Sequence, residues 1–347
     1  MESLEMAENA AGQEKAIIRT CGYPRLDFGN LVLRSSMTEE EEPQQNLDMA
    51  FLTQPAADLG NLEKLPTELI VQVLKFLDIS TYFQFLHTNR RARELATDIR
   101  EYSLIVKHGL QAFRAFLRTE TAHRLTVYEL YLCMITENCE FCGEFGGFIY
   151  LITAQRCCYE CVQFAGETHT MPLRFFTKAL RRGNVPLAQL LKHSLRTSRG
   201  AFAFEEPIMR RVYLVHTMSA IKLLWDHTNV TWKKIERMTK GRDSPYTRHA
   251  ASTSLPFYNL ETGRAETGIC CKGCHYKSLI DDPDLDNSDD EAALKKASED
   301  RDRLYSEAGF LAHFAQDERA QDLWLRSENG TKDVEWEDQS PRVVSTS

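Results

Sequence analysis

Four of the ten cysteines form two Cys-x-x-Cys pairs whose spacing suits a metal ion. Cys139 and Cys142 make the first pair, Cys158 and Cys161 make the second, and fifteen residues separate Cys142 from Cys158. Each pair can bend over one face of a tetrahedral ion, and four thiolates then fill the coordination sphere. The pattern therefore predicts a structural zinc site. The spacing favours Cys158 over the adjacent Cys157, and two pairs of buried, reduced thiols are the alternative interpretation.

A second group of potential ligands lies in the last quarter of the chain. A Cys-x-x-Cys pair is followed, further along, by a histidine and an aspartate four residues apart, which would share one helix face. The predicted ligand set is Cys271, Cys274, His313 and Asp317. Cys270 and His275 are alternatives, because they flank the pair. We predict a second zinc site here, against the alternative of unligated thiols beside a lone histidine.

Basic side chains follow the second cysteine pair. No acidic residue occurs from Thr168 to Phe204. Four basic residues of this stretch would line one face of a helix, namely Arg174, Lys178, Arg181 and Arg182. Such a face can bind an acidic or phosphorylated peptide, because arginine pairs well with phosphate oxygens. We predict it as a substrate-binding face; contact with the acidic loop 281–291 or simple solvation are the alternatives.

Composition limits the class of protein. The chain has 347 residues, of which 43% are hydrophobic and 27% charged, as in soluble globular proteins. It has no apolar run as long as a membrane span and no secretory signal, so we expect a location in the cytoplasm or nucleus. There, clustered cysteines favour metal over disulfides. A formal net charge of −8 argues against bulk nucleic-acid binding. The sequence contains no glycine-rich phosphate loop and no nucleophile motif of the kinds that would indicate an enzyme.

One predicted helix is apolar on most of its sides. From Leu69 to Leu77, seven of nine residues are apolar, whereas a surface helix needs only one apolar stripe. The helix therefore requires two hydrophobic neighbours, its own domain and a partner chain that accepts a helix. The predicted docking residues, some of which would belong to the domain's own core, are Leu65, Pro66, Leu69, Ile70, Val73, Leu74 and Leu77.

Residues 61–100 resemble the F-box. The motif Leu-Pro-x-Glu-Leu at 65–69 is followed by apolar positions at 73–77, a short apolar helix near Tyr82 and a basic helix that starts near Asn89. The resemblance implies a small three-helix domain that binds the Skp-type adaptor of a cullin-RING ubiquitin ligase. A core helix of an ordinary helical domain is the alternative interpretation.

The cysteine motifs extend this resemblance to about residues 61–326. Over that span the chain resembles a group of fungal F-box proteins with a cysteine-rich helical region, although members often have Cys where this chain has Asp317. The resemblance implies a non-catalytic subunit of an SCF-type ligase that scaffolds an unknown protein for ubiquitination. An intrinsic RING is disfavoured, because no Cys-x-His element lies between Cys142 and Cys158. The rival interpretation is a zinc-containing regulator that binds nucleic acid through the basic 174–199 face.

The sequence thus predicts a mainly α chain in four parts. Residues 1–60 are expected to be mostly disordered, although the apolar piece 17–33 is able to pack. An F-box at 61–100 precedes an irregular helical domain at 101–326, which carries one or two structural zinc sites and an acidic loop at 281–291. A disordered tail is expected at 327–347.

Overall fold

In the computed structural model, the described residues are 2–25, 27–34, 47, 57–182, 184–198, 210–227, 231–240, 245–280 and 291–333. The chain is mainly helical with a few short strands, which confirms the predicted fold class. Among these residues we find no helix that is both long enough and apolar enough to cross a membrane.

An N-terminal arm packs against the end of the chain. It consists of helix α1 (Glu2–Cys21), strand β1 (Gly22–Tyr23) and helix α2 (Phe28–Leu31). Cys21 and Phe28 are buried, and the Cys21 thiol donates a 3.2 Å hydrogen bond to the carbonyl oxygen of Ala320. These contacts fall within the segment 1–60, for which the sequence predicts mostly disorder apart from a packed piece at 17–33. The Ala320 partner of Cys21 lies 299 residues away in sequence, so no local pattern reveals it.

Six helices then follow a 3₁₀ turn (Gly60–Lys64). They are α3 (Thr67–Lys75), α4 (Ile79–Leu86), α5 (Arg90–Thr97), α6 (Arg100–His108), α7 (Leu110–Arg118) and α8 (Val127–Ile135). Side chains fix where several of these helices begin. Asp78 and Asn89 accept hydrogen bonds from backbone N–H groups inside α4 and α5, and Thr126 forms a capping box with Glu129 at the start of α8.

Short antiparallel strands position the cysteines. They are β2 (Phe148–Tyr150), β3 (Gln155–Cys157), β4 (Thr170–Pro172), β5 (Ser194–Arg196), β6 (Tyr213–His216), β7 (Ser252–Ser254), β8 (Phe257–Asn259), β9 (Arg264–Glu266) and β10 (Cys270–Cys271). Their orders are β3-β2-β7, β4-β6-β5 and β8-β9, and β1 pairs with β10. In that last pair, Gly22 lies opposite Cys271 and Tyr23 lies opposite Cys270. The N-terminal arm is thus joined directly to the second cysteine group.

The remaining helices complete the chain. They are α9 (Tyr159–Phe164), α10 (Arg174–Arg182), α11 (Leu187–Leu191), α12 (Thr217–His227), α13 (Trp232–Thr239), α14 (Pro245–His249), α15 (Lys272–Ile280), α16 (Glu291–Asp302), α17 (Glu307–Phe314) and α18 (Glu318–Arg326), with a 3₁₀ turn at Gly166–Thr168. Nearly all of the predicted acidic loop, 281–290, lies outside the described residues. Within the predicted tail 327–347, Ser327 is buried and its hydroxyl accepts a 2.8 Å hydrogen bond from Gly330 N. Residues 334–347 of that tail also lie outside the described part.

The hydrophobic core does not separate the F-box-like helices from the cysteine-rich region. Ile70 and Leu74 of α3 belong to the same cluster of buried side chains as Tyr102 of α6, Leu130 of α8 and Cys161 of α9. A second cluster lies among α10, α11 and α12, and a third joins α1 to α17 and α18. The helices that resemble an F-box are therefore packed into a larger unit.

Candidate metal centres and docking face

The first cysteine group forms a compact set of four sulfur atoms. The sulfurs of Cys139, Cys142, Cys158 and Cys161 all lie within 4.8 Å of one another, and Cys142 Sγ is 3.5 Å from Cys158 Sγ. Tetrahedral zinc with Zn–S bonds of about 2.3 Å holds its sulfur ligands roughly 3.8 Å apart. The spacing, the number of ligands and their chemistry therefore fit a closed zinc site.

Each half of this group is shaped by its own backbone. After the first pair, Gly143 has φ +82° and its N–H donates a 2.9 Å hydrogen bond to the carbonyl oxygen of Cys139, which closes the turn. In the second pair, Cys158 caps helix α9, and its sulfur accepts a 3.3 Å hydrogen bond from Cys161 N. A backbone hydrogen bond of 3.0 Å from Glu140 N to Arg156 O joins the two halves.

The crowded thiols share their protons unevenly. Hydrogen bonds from Cys158 and Cys161 lower the pKa of Cys139, while the same bonds raise the pKa of Cys158 and of Cys161. The thiolate form is thus favoured at Cys139 and disfavoured at Cys158 and Cys161. A divalent cation would take the place of the remaining protons, because metal binding requires deprotonated thiols.

Two residues that precede Cys158, Arg156 and Cys157, are buried beside the group of four. Cys157 is buried outside the group of four, and burial raises the pKa of its thiol well above the ordinary value. Arg156 is fully buried and donates a 2.9 Å hydrogen bond to the carbonyl oxygen of Cys133. Burial lowers the pKa of Arg156 to about 10. Four thiolates on Zn²⁺ carry a net charge of 2−. The guanidinium of Arg156 would offset part of this buried negative charge.

The second predicted group also assembles. One ligand atom from each of Cys271, Cys274, His313 and Asp317 lies within 4.8 Å of the others. Cys274 Sγ is 3.4 Å from His313 Nε2 and 3.5 Å from Asp317 Oδ2. Bonds of about 2.3 Å to sulfur and 2.0–2.2 Å to nitrogen or oxygen give separations of roughly 3.5 Å around a tetrahedral ion. A hydrogen bond with Cys274 lowers the pKa of Cys271 to about 6, which favours its thiolate form.

Local structure orients the two helical ligands. Asp317 caps α18, because its Oδ1 accepts a 2.7 Å hydrogen bond from Ala320 N, and this leaves Oδ2 for a metal. A Cβ atom on Gly273 would lie only 2.6 Å from that Oδ1, so glycine is required there. The Tyr305 ring stacks on the His313 ring, with centroids 4.6 Å apart, and its hydroxyl is 3.4 Å from Nδ1. When Nδ1–H donates to this hydroxyl, Nε2 is left unprotonated and presents its lone pair to a metal.

The flanking alternatives take other roles. His275 Nδ1 is hydrogen-bonded to the Tyr23 hydroxyl at 3.0 Å, and Cys270 is fully buried where β10 pairs with β1. Neither belongs to the ligand group. Both contacts involve the N-terminal arm, whose position at this centre no sequence pattern predicts.

Helix α3 exposes one apolar stripe and buries another. Leu69 is 52% exposed and Phe76 is 69% exposed, whereas Ile70 and Leu74 are 4% and 2% exposed. Ile70 and Leu74 therefore drop out of the predicted docking set, because a buried side chain cannot contact a partner. Of the other predicted docking residues, Leu65, Pro66, Leu69 and Val73 are exposed, and Leu77 packs partly against the core. Phe76, which the predicted set left out, is the most exposed member of the stripe.

The predicted basic residues of α10 share one exposed face. Arg174, Lys178, Arg181 and Arg182 are all exposed, and the opposite face buries Phe176, Ala179 and Leu180. Further along the 174–199 stretch, Arg196 forms a 2.8 Å ion pair with Glu120. That pairing shortens the continuous basic surface available to nucleic acid, and leaves the α10 face as its main part.

Comparison with protein families matches residues 62–104 to the F-box domain. The match covers α3, α4, α5 and the first part of α6, in agreement with the resemblance at 61–100. F-box domains typically bind a Skp-type adaptor and, through it, a cullin. Searches of curated proteins and of solved structures each gave no significant match. The chain therefore carries an F-box domain, embedded in a cysteine-rich helical unit.

Proposed function

We propose that this chain is a substrate-recruiting subunit of an SCF-type cullin-RING ubiquitin ligase. The observation that carries the proposal is the exposed apolar stripe of α3, which lies within the matched F-box domain. The stripe comprises Leu69 and Val73 of α3, Leu62 and Leu65 just before the helix, and Phe76 directly after its last residue. Covering a half-exposed leucine or valine contributes about 1 kcal/mol, and Phe76 more, so a groove on an adaptor would gain several kcal/mol from this stripe.

The chain itself would act as a scaffold without covalent chemistry. Holding a target close to the ligase raises its effective concentration at the site of ubiquitin transfer. The α10 basic face is the proposed contact for an acidic or phosphorylated segment of that target, because four exposed cations converge there. We place this activity in the cytoplasm or nucleus.

Zinc is proposed as the resident metal of both cysteine groups. Each group supplies four protein ligands, which leaves no open position for a substrate or a reactive water. Zinc would therefore stabilise the fold, because its binding free energy becomes folding free energy. The two ligand groups also support a relation to the cysteine-rich fungal F-box proteins that the sequence resembles.

The test is co-purification of the full chain with a Skp-type adaptor. A variant with Leu69→Asp and Val73→Asp places two charges on the stripe without touching the core, and we expect it to lose the adaptor. Leu187→Asp is the matched control, because Leu187 is 48% exposed on α11, outside the F-box domain. Equal adaptor recovery by the double variant and the wild type, at equal thermal stability, would rule out the docking role of α3.

A further inference from the structure

Helix α8 continues the apolar surface of the F-box domain beyond the end of the family match. Its inner face buries Val127, Leu130 and Met134, whereas Leu132 is 39% exposed on the opposite face. Tyr128 is half-buried and precedes Leu132 by one helical turn, so both side chains lie on the same face. Neither residue falls within the matched range 62–104.

The start of α8 is held against the segment that links α3 to α4. Val127 N donates a 3.2 Å hydrogen bond to the carbonyl oxygen of Leu77, and Ile79 N donates a 3.1 Å hydrogen bond to that of Leu125. The capping box at Thr126 fixes the direction in which α8 leaves this junction. The two helices therefore present their outer faces in a fixed relation.

The exposed stripe crosses this junction through a ring contact. The centroid of the Phe76 ring lies 6.5 Å from that of Tyr128, with an interplanar angle of 55°. Phe76 is the most exposed member of the α3 stripe, and Leu132 lies one turn beyond Tyr128. The apolar surface thus runs from Leu69 across Val73 and both rings to Leu132.

We infer that the Skp-type adaptor that binds α3 also covers Tyr128 and Leu132 of α8. This inference rests on the proposed function. A partner that covers Phe76 must meet Tyr128, because the two rings are in contact. A stable interface also involves about 20–30 residues on each side, more than one short helix can supply. The continuous surface onto α8 supplies the additional contacts.

This placement gives the adaptor a direct link to the first cysteine group. Helix α8 ends at Ile135, and Cys139 follows only four residues later. An adaptor seated on α8 would therefore contact the element that leads into that group, and would set the orientation of the cysteine-rich region as well as that of the F-box.

The test measures adaptor affinity by titration calorimetry, with the chain of residues 1–347 purified in the presence of zinc. We expect Leu132→Asp to weaken binding about tenfold, and Leu260→Asp to leave it unchanged. Leu260 is 51% exposed between β8 and β9, so it controls for a charge at an exposed leucine. A photoreactive benzoylphenylalanine at position 132, in place of leucine, is expected to crosslink to the adaptor, whereas the same group at position 260 is not.

The Leu69→Asp and Val73→Asp double variant separates two kinds of failure. If Leu132→Asp binds within twofold of the wild type while the double variant loses binding, the extension onto α8 is wrong and the docking role of α3 stands. If the double variant also binds normally, the proposed function itself fails. A crosslink from position 132 to a protein other than the adaptor would assign the α8 face to another partner and overturn the inference.

Discussion

Asp317→Asn is the substitution that tests the second metal centre most cleanly, because Asp317 has two separable roles. Its Oδ1 caps α18 through Ala320 N, and its Oδ2 lies 3.5 Å from Cys274 Sγ and 3.7 Å from His313 Nε2. Asparagine caps a helix about as well as aspartate does. The substitution therefore keeps the cap and removes the negative charge that a cation would require.

The expected loss of zinc affinity in Asp317→Asn can be bounded, because Asp317 lies among the proposed ligands. Removing a residue that only supports a metal ligand already weakens metal binding by about 10–100-fold, so the loss of a direct ligand should reach at least that range. When zinc is in excess, a 100-fold weaker site removes about 2.7 kcal/mol of stabilisation. Zinc affinity is measured by competition with a chromogenic chelator, and stability by denaturant unfolding in the presence of zinc.

The control for this experiment is Asp322→Asn, on the same helix. Asp322 is exposed and pairs with Arg326 at 2.7 Å, away from the ligand group. Wild type and control are expected to hold two zinc ions per chain under mild chelation, and Asp317→Asn only one. Two zinc ions of unchanged affinity in Asp317→Asn would show that the carboxylate is not a ligand and would refute the argument from geometry.

Two further predictions follow from buried contacts. Cys161→Ser should release the first zinc ion and weaken adaptor binding through the shared core. Cys157→Ala is the control and should keep the metal. Equal zinc contents in the two variants would contradict the assignment of Cys161 as a ligand. Burial raises the pKa of Asp302, but hydrogen bonds from Arg301 and Arg25 outweigh it and leave the pKa below the ordinary value. This ion pair therefore contributes stability above about pH 4, the usual aspartate pKa, and loses it as the pH falls further. Faster amide exchange in β1 and α2, which flank Arg25, is expected for Asp302→Asn at pH 7, and unchanged exchange would argue against the contact.

Local sequence patterns were enough to predict the two ligand groups and the F-box helix. The Cys-x-x-Cys turns close on themselves, so spacing alone was enough to choose Cys158 over Cys157. The pairing of His313 with Asp317 could also be predicted from spacing, because residues four apart share a helix face. The resemblance to the F-box came from the Leu-Pro-x-Glu-Leu motif at 65–69 and the apolar positions after it, and the family match at 62–104 agrees with it.

Contacts between distant parts of the chain could not be obtained in this way. The sequence shows that α3 is apolar almost all round, but the solvent side depends on helices that follow it, so Ile70 and Leu74 could not be separated from Leu69. The position of the N-terminal arm could not be predicted, because the Cys21 thiol meets the carbonyl oxygen of Ala320, 299 residues later. The role of Arg156 could not be predicted, because its guanidinium donates to the carbonyl oxygens of Cys133 and Pro256, which are distant in sequence.

The shared core has a consequence for how the chain would work in a ligase. Ile70 of α3 and Cys161 of the first metal group belong to one cluster of buried side chains, and Lys75 pairs with Glu101 at 2.7 Å between α3 and α6. A hinge between an F-box and a target-binding region requires a small, polar contact, which is the usual basis of relative motion between domains. Here the contact is apolar and continuous through α8. The docking face and the cysteine-rich region would therefore move together, and the position of a bound target would be set by the adaptor.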